Sequence, residues 1–270
     1  MTEFSLSKIN DRITKESAFI DPLRASISEV IVGQDELINK ILIGLLANGH
    51  MLLEGVPGLA KTLTVNTLAQ AIDTGFQRVQ FTPDMLPADL LGTLIFNQKT
   101  GGFETRKGPI FSNIILADEI NRAPSKVQSA LLEAMQERQV TIGEETFKLD
   151  APFLVLATQN PIEMEGTYPL PEAQIDRFFF KILVGAPDLG GLIEVIDRTT
   201  GEESPVVEPV LNGKELLEMR SLSREIPIAS HVKEYAAKLV LATHPGAEEN
   251  SVAKKYLRYG ASPRGAQAMV

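Results

Sequence analysis

Residues 55–62 read Gly-Val-Pro-Gly-Leu-Ala-Lys-Thr; an apolar run, His50 to Leu53, precedes them and a helical pattern, Leu63 to Ile72, follows. Strand, glycine-bearing turn and helix in that order make a phosphate-binding loop. Successive backbone N–H groups and the helix N-terminus meet the negative phosphates, Lys61 reaches the β- and γ-phosphates, and the Thr62 hydroxyl can ligate magnesium. Gly55, Val56, Pro57, Gly58, Leu59, Ala60, Lys61 and Thr62 are therefore the expected nucleotide contacts. The general pattern has glycine before the lysine, whereas this chain has Ala60, so the turn must accommodate one methyl group. Taken alone, the segment also reads as an ordinary glycine-rich turn.

A second element, Ile114-Ile115-Leu116-Ala117-Asp118-Glu119, is an apolar strand ending in two carboxylates. Ligands gather at the carboxyl ends of strands in a parallel sheet, where these two residues fall. Asp118 would hold the magnesium shell, and Glu119 would orient and deprotonate the attacking water. A strand followed by an acidic helix cap is the alternative. A third buried run, Phe153 to Thr158, delivers Gln159-Asn160-Pro161 to the same edge. The Asn160 amide can hold that water against the γ-phosphate, or it is simply a turn residue before proline.

The elements that must position these groups follow from periodicity. Five strand-like runs alternate with helix-like segments: His50 to Leu53, Arg78 to Phe81, Asn113 to Ala117, Phe153 to Thr158 and Phe178 to Val184. The alternation predicts an α/β fold, a parallel sheet with helices on both faces. From Ser125 to Arg138, Val127, Ala130, Leu131, Ala134 and Met135 recur at helical spacing, which predicts a helix covering the sheet. Two insertions read as β-hairpins: about Thr93 to Thr105 around Gly101-Gly102, and about Val140 to Leu149 turning at or near Gly143. After Gly185-Ala186-Pro187 the β/α pattern stops and helix-like segments take over, so we expect a nucleotide-binding domain over 1–186 and a helical lid domain over 187–270. The chain ends within a starting helix that lacks a capping glycine, which reads as an incomplete lid.

Composition bounds the chemistry. There is no cysteine, which excludes thiol catalysis, cysteine-ligated zinc and disulfides, and the three histidines at 50, 231 and 244 offer no metal-ligand spacing. Each reads as a surface or packing residue. The net charge of −9 opposes the counterion release that drives non-specific nucleic-acid binding, and the basic stretch Lys99 to Lys107 reads as a solvated loop. The first residues carry no basic cap with an apolar core behind it, and no run approaches the roughly 18 apolar residues of a membrane span. A cytoplasmic site is the expectation.

The chain resembles the MoxR branch of AAA+ ATPases over nearly its whole length. Ala60 within Gly-Val-Pro-Gly-Leu-Ala-Lys-Thr is typical of that branch, and the resemblance extends through Ala117-Asp118-Glu119-Ile120-Asn121-Arg122-Ala123-Pro124, Ala157-Thr158-Gln159-Asn160-Pro161 and Leu170-Pro171-Glu172-Ala173-Gln174-Ile175-Asp176-Arg177-Phe178. It implies strand order 5-1-4-3-2, with the hairpins as the helix-2 insert and the pre-sensor-1 hairpin. Residues 55–62 become the Walker A motif and Asp118 with Glu119 the Walker B pair, binding ATP or ADP with Mg²⁺. The resemblance further assigns Ile31-Val32-Gly33-Gln34 to the adenine wall, with Val32, Gly33 and Gln34 as the contacts, Asn160 to sensor 1, and Arg264 to sensor 2, reaching the γ-phosphate from the helical domain. Arg177 matches the arginine finger that a neighbouring subunit inserts, with Arg122 as a second candidate.

A guanidinium offers fixed donors to the transferring phosphoryl group. The implied function is thus an ATP-driven, chaperone-like machine in a homo-oligomeric, hexameric ring. Family members act beside von Willebrand factor A domain proteins, which makes such a protein the expected client. A nucleotide-dependent binding switch would use the same residues. An MCM-like motor on nucleic acid is opposed by the acidic balance. An enhancer-binding activator is opposed by the first hairpin, which reads Gly-Gly-Phe-Glu-Thr-Arg where that group carries Gly-Ala-Phe-Thr-Gly-Ala. No Asn-Lys-x-Asp motif is present to read guanine.

Overall fold

Strands with apolar residues at every position need cover on both faces, and this chain supplies it. The computed structural model describes residues 11–56, 58–161, 167–200, 207–246 and 251–270. Its strands are β1 (Met51–Glu54), β2 (Phe76–Gln80), β3 (Gly92–Asn97), β4 (Gly102–Lys107), β5 (Ile114–Asp118), β6 (Gln139–Ile142), β7 (Glu145–Lys148), β8 (Leu154–Gln159) and β9 (Phe180–Leu183). Five of them form one sheet in the order β2-β5-β8-β1-β9, parallel throughout, with Met51 opposite Leu156 and Phe180, and Ile114 opposite Leu154. Counting only these five, the order is the 5-1-4-3-2 implied by the family resemblance.

Side chains alternate across a strand, and here the alternation divides the interior in two. Met51, Leu53, Ile114, Leu116, Leu154 and Leu156 face one core. Leu52, Ile115, Ala117, Val155 and Ala157 face the other. The helices that cover them are α1 (Ile20–Val30), α2 (Asp35–Leu46), α3 (Lys61–Ala71), α4 (Pro87–Leu91) and α5 (Ser125–Glu137); after these come α6 (Glu172–Ile175), α7 (Leu189–Thr200), α8 (Gly213–Glu225), α9 (Ser230–Ala242), α10 (Ser251–Tyr256) and α11 (Pro263–Ala268). The first core takes Leu23 and Ile27 of α1, nine apolar residues of α2 and α3, and Leu216 of α8. The second takes Val127, Leu131, Leu132 and Met135 of α5, whose apolar stripe matches the periodicity of the sequence.

Helix α5 ends at Glu137 because Arg138 turns left-handed, φ 54°, while its N–H still donates to the Ala134 carbonyl. Both hairpins form where the turn residues predict. The β3–β4 hairpin turns through Gly101 at φ 66°, and β6–β7 through Gly143 at φ 64°. A Cβ on Gly143 would lie 2.7 Å from Leu94 Cδ1, so the two hairpins abut. Phe96 and Phe103 form an edge-to-face pair, centroids 5.4 Å apart, on a largely exposed first hairpin.

Beyond β9 the described chain is helical. Helix α8 opens with a capping box: Asn212 Oδ1 accepts the N–H groups of Lys214 and Glu215, and Glu215 Oε2 accepts that of Asn212. Its Leu216, with Leu211 just before it, packs into the same core as the sheet. No helix among the described residues is long and apolar enough to cross a membrane.

Candidate nucleotide site

The carboxyl ends of β1, β5 and β8 meet at one cavity of about 420 Å³, lined by Gly58 to Leu63, Arg78, Asp118, Glu119, Thr158 and Asn160. Three stretches distant in sequence are thereby brought together. The loop leaves β1 through Gly55, where a Cβ would lie 2.7 Å from the Val184 carbonyl oxygen, so only glycine fits there. Gly58 has φ 86° and Ala60 φ 54°. Ala60 therefore holds its methyl in left-handed backbone, at a cost of about 1–2 kcal/mol. Pro57, named above as a contact, lies outside the described residues.

Helix α3 begins at Lys61, so its free N–H groups open towards the cavity. The Lys61 ammonium folds back onto the loop, donating to the Gly55 carbonyl and, at 3.3 Å, to that of Val56. Burial lowers its pKa below the usual lysine value, while the charges of Asp118 and Glu119 act in the opposite direction.

Asp118 is nearly buried, and both its oxygens are engaged. Oδ2 accepts from Arg78 Nε at 3.0 Å and Nη2 at 2.6 Å, and Oδ1 accepts from the Thr158 hydroxyl at 2.5 Å. The same hydroxyl oxygen accepts the Glu119 N–H at 2.8 Å. Glu119 sits at φ 57°, a second left-handed residue, and its Oε2 accepts from Gln80 at 2.7 Å and Arg122 at 2.8 Å. Asn160 is buried, and its carbonyl accepts from Asn121 Nδ2 at 3.4 Å. Strained backbone in the phosphate loop and at the Glu119 carboxylate is the kind of local cost that binding sites carry.

Other expected residues lie elsewhere. Val32, Gly33 and Gln34 join α1 to α2 and touch the start of the helical segment: Gln34 Nε2 donates to the Gly185 carbonyl, and Gly33, at φ 66°, faces Pro187. Arg177 and Arg264 do not line the phosphate-loop cavity. They share a second cleft with Asn48, His50 and Asp176, at the opposite ends of the strands. There Arg264 Nη1 donates to Asp176 Oδ2 at 3.2 Å, and the Ser262 hydroxyl to Oδ1 at 2.5 Å. Arg122 stays beside Glu119 of its own chain.

Sequence reading missed Arg78, Gln80 and Thr158. The signal for the first two was present, because polar residues at positions 78 and 80 flank buried Val79 and so share one face of an edge strand. Thr158 stood inside a motif but was read only as part of an apolar run.

A profile of the ATPase family associated with various cellular activities (AAA) matches residues 50–180. The chain is 48% identical over 245 residues to "Chaperone MoxR1" of Mycobacterium tuberculosis, covering 90% of this chain and 65% of that one. It is 44% identical over 247 residues to the uncharacterized protein YeaC of Bacillus subtilis, covering 90% and 74% respectively. It thus spans just under two thirds of MoxR1 and about three quarters of YeaC. "Protein MoxR" of Methylorubrum extorquens is 34% identical over 167 residues, 60% of this chain and 48% of that one. A crystal structure from Cytophaga hutchinsonii, described as that of a candidate ATPase, superposes with a TM-score of 0.89 at 50% identity, covering 98% of this chain and 81% of the other. At these identities and coverages the chain belongs to the MoxR family of AAA+ ATPases.

Proposed function

We propose that this chain hydrolyses ATP and couples that reaction, within a ring of its own copies, to remodelling or maturation of a partner protein. The observation that carries the reading is the convergence of Lys61, Thr62, Asp118, Glu119 and Asn160 on one cavity. Each group has a chemical task. The loop N–H groups and Lys61 neutralise the phosphates, and Asn160 and Glu119 orient the attacking water. Glu119 accepts its proton. The residues suit a divalent cation: a hydroxyl at Thr62 and a carboxylate at Asp118 are the hard oxygen donors that Mg²⁺ takes beside phosphate oxygens. When bound, the cation would neutralise charge developing on the phosphates. For Asp118 to take part, Arg78 must release one of its oxygens.

Gln80 and Arg122 both hold Oε2 of Glu119, which fixes the carboxylate and leaves Oε1 to accept the proton. Val32, Gly33 and Gln34 serve as the adenine wall. Residues 187–270 form the lid domain, of which the helices after α8 are the part that moves. Arg177 and Arg264 share a cleft remote from their own phosphate loop, which supports a role for both towards the neighbouring copy's nucleotide rather than their own. The ring is proposed as a hexamer, and the client as a protein of the kind that carries a von Willebrand factor A domain.

The test is Glu119→Gln. Binding of a fluorescent ATP analogue should be retained, while turnover should fall at least about 100-fold, the usual contribution of a general base. Turnover at the parental rate would remove Glu119 from the mechanism. Slow parental turnover that no degree of assembly accelerates would favour the nucleotide switch.

A further inference from the structure

Below the sheet, at the end away from the phosphate loop, a cleft of about 470 Å³ opens between the root of the second hairpin and α8. We propose that it is a binding site for a phosphate-class oxyanion, held by Arg138, Arg220 and Arg224. Three guanidinium groups line it against one carboxylate, Glu225, and that carboxylate is already paired with Arg12 at 2.9 Å. The cleft therefore carries an excess of positive charge that no side chain in it offsets.

The arrangement is built rather than incidental. Arg220 is only 6% exposed; its Nε donates to the Leu45 carbonyl at 2.7 Å and its Nη1 to Asn48 Oδ1 at 2.8 Å. Its Nη2 is buried and has no hydrogen-bond partner among the described residues. A buried, charged donor left unsatisfied is costly, and one such group in a native fold calls for an acceptor. Arg138 is fixed from the other wall, with Nη1 on the Phe153 carbonyl, Nη2 on the Asn48 carbonyl at 3.1 Å, and its guanidinium 5.5 Å from the Phe153 ring. Asn48 thus ties both arginines to one position.

The backbone adds to the case. Arg138 adopts φ 54°, which side-chain-bearing residues rarely do, and this turn brings the guanidinium to the cleft. Arg220 and Arg224 stand four apart on α8, where like charges repel along a helix face. Burial, then Arg138 and Arg224, push the Arg220 pKa down to about 10. An anion would offset both the mutual repulsion of the guanidinium groups and the cost of burying Arg220. Arginine forks donate in the paired geometry that suits phosphate oxygens, and a dianion matches the uncompensated charge better than a single carboxylate does. Bound there, it would tie the root of the β6–β7 hairpin to α8.

The experiment is calorimetric titration of inorganic phosphate into the Lys61→Ala chain, which removes the phosphate loop as a competitor, at constant ionic strength with chloride and acetate as references. One phosphate site is expected, with acetate at least tenfold weaker. Arg224→Gln should weaken phosphate at least tenfold; Arg224 is exposed, so its replacement leaves the core intact. Arg220→Lys, which keeps the charge and loses the fork, should weaken it similarly. Absence of phosphate binding, or affinity unchanged in Arg224→Gln, overturns the site. Acetate binding as tightly as phosphate overturns the assignment to the phosphate class.

Discussion

His50 shows how a residue close to the phosphate loop in sequence serves the fold and not the chemistry. It precedes β1, lies buried, accepts the Val155 N–H on Nδ1 at 2.9 Å, and meets the Met135 carbonyl through Nε2 at 3.1 Å. Those partners fix the neutral ring with its proton on Nε2. Burial first, then the charge of Arg138, hold its pKa near 3 against an ordinary value of 6.5. The unfolded chain therefore binds a proton in a range where the folded one does not. Its contribution to stability is intact above pH 6.5 and is lost as pH falls towards 3, with a slope of about 1.4 kcal/mol per pH unit. Denaturant melts at stepped pH should show this slope in the parent and a shallower one in His50→Gln; equal slopes would remove His50 as the source. The reactive residues were legible in the sequence because strand, turn and carboxylate order encode them locally. Arg78 and Thr158 were not, because their roles exist only once β2, β5 and β8 lie side by side, Arg78 opposite Leu116 and Leu116 opposite Leu156.

At the scale of elements, the glycines at the hairpins separate two kinds of constraint. Gly92 begins β3 at φ 109°, and a Cβ there would run into the Arg106 carbonyl oxygen and the Gly108 nitrogen. Gly101 at the hairpin tip has φ 66° with nothing within 4 Å. Gly92→Ala should thus lower stability by about 2 kcal/mol or more, from backbone conformation and collision together. Gly101→Ala should cost about 1 kcal/mol, from conformation alone. Chemical denaturation of both variants checks the order, and equal losses would show that the hairpin exit can shift. Both hairpins were legible from their turn glycines. Their contact through Leu94 and Gly143 was not, since it joins two turns far apart in sequence. Strand bounds moved by one or two residues, as at β2, where Phe76 and Gln77 extend the expected run along β5.

For the whole molecule, the separation of Arg177 from the phosphate loop has a kinetic consequence. If each site is completed by its neighbour, turnover per chain should rise with concentration in step with the mass measured by light scattering. Arg177→Ala should bind nucleotide normally and lose that rise, the contribution of such a finger being roughly 10³ to 10⁵ in rate. Mixing Arg177→Ala with Lys61→Ala chains should restore turnover, because one supplies an intact pocket and the other an intact arginine; mixtures as inactive as their components would place Arg177 outside the reaction. The helical character of residues beyond 187 was legible from the end of the β/α pattern. How they divide mechanically was not. Leu216 of α8 is fully buried in the same core as Met51 and Leu53, and Arg198 of α7 is bonded to the Ser28 and Glu29 carbonyls of α1. Later helices return to the sheet through Ser262 and Arg264 on Asp176. To swing α8, the molecule would have to open its core; to swing α9 to α11, it would have to exchange those polar contacts. The natural hinge therefore falls near Ile226, where α8 ends, about forty residues past the point at which the chain changes character, so that α8 travels with the sheet and only the remainder is free to act as a lever.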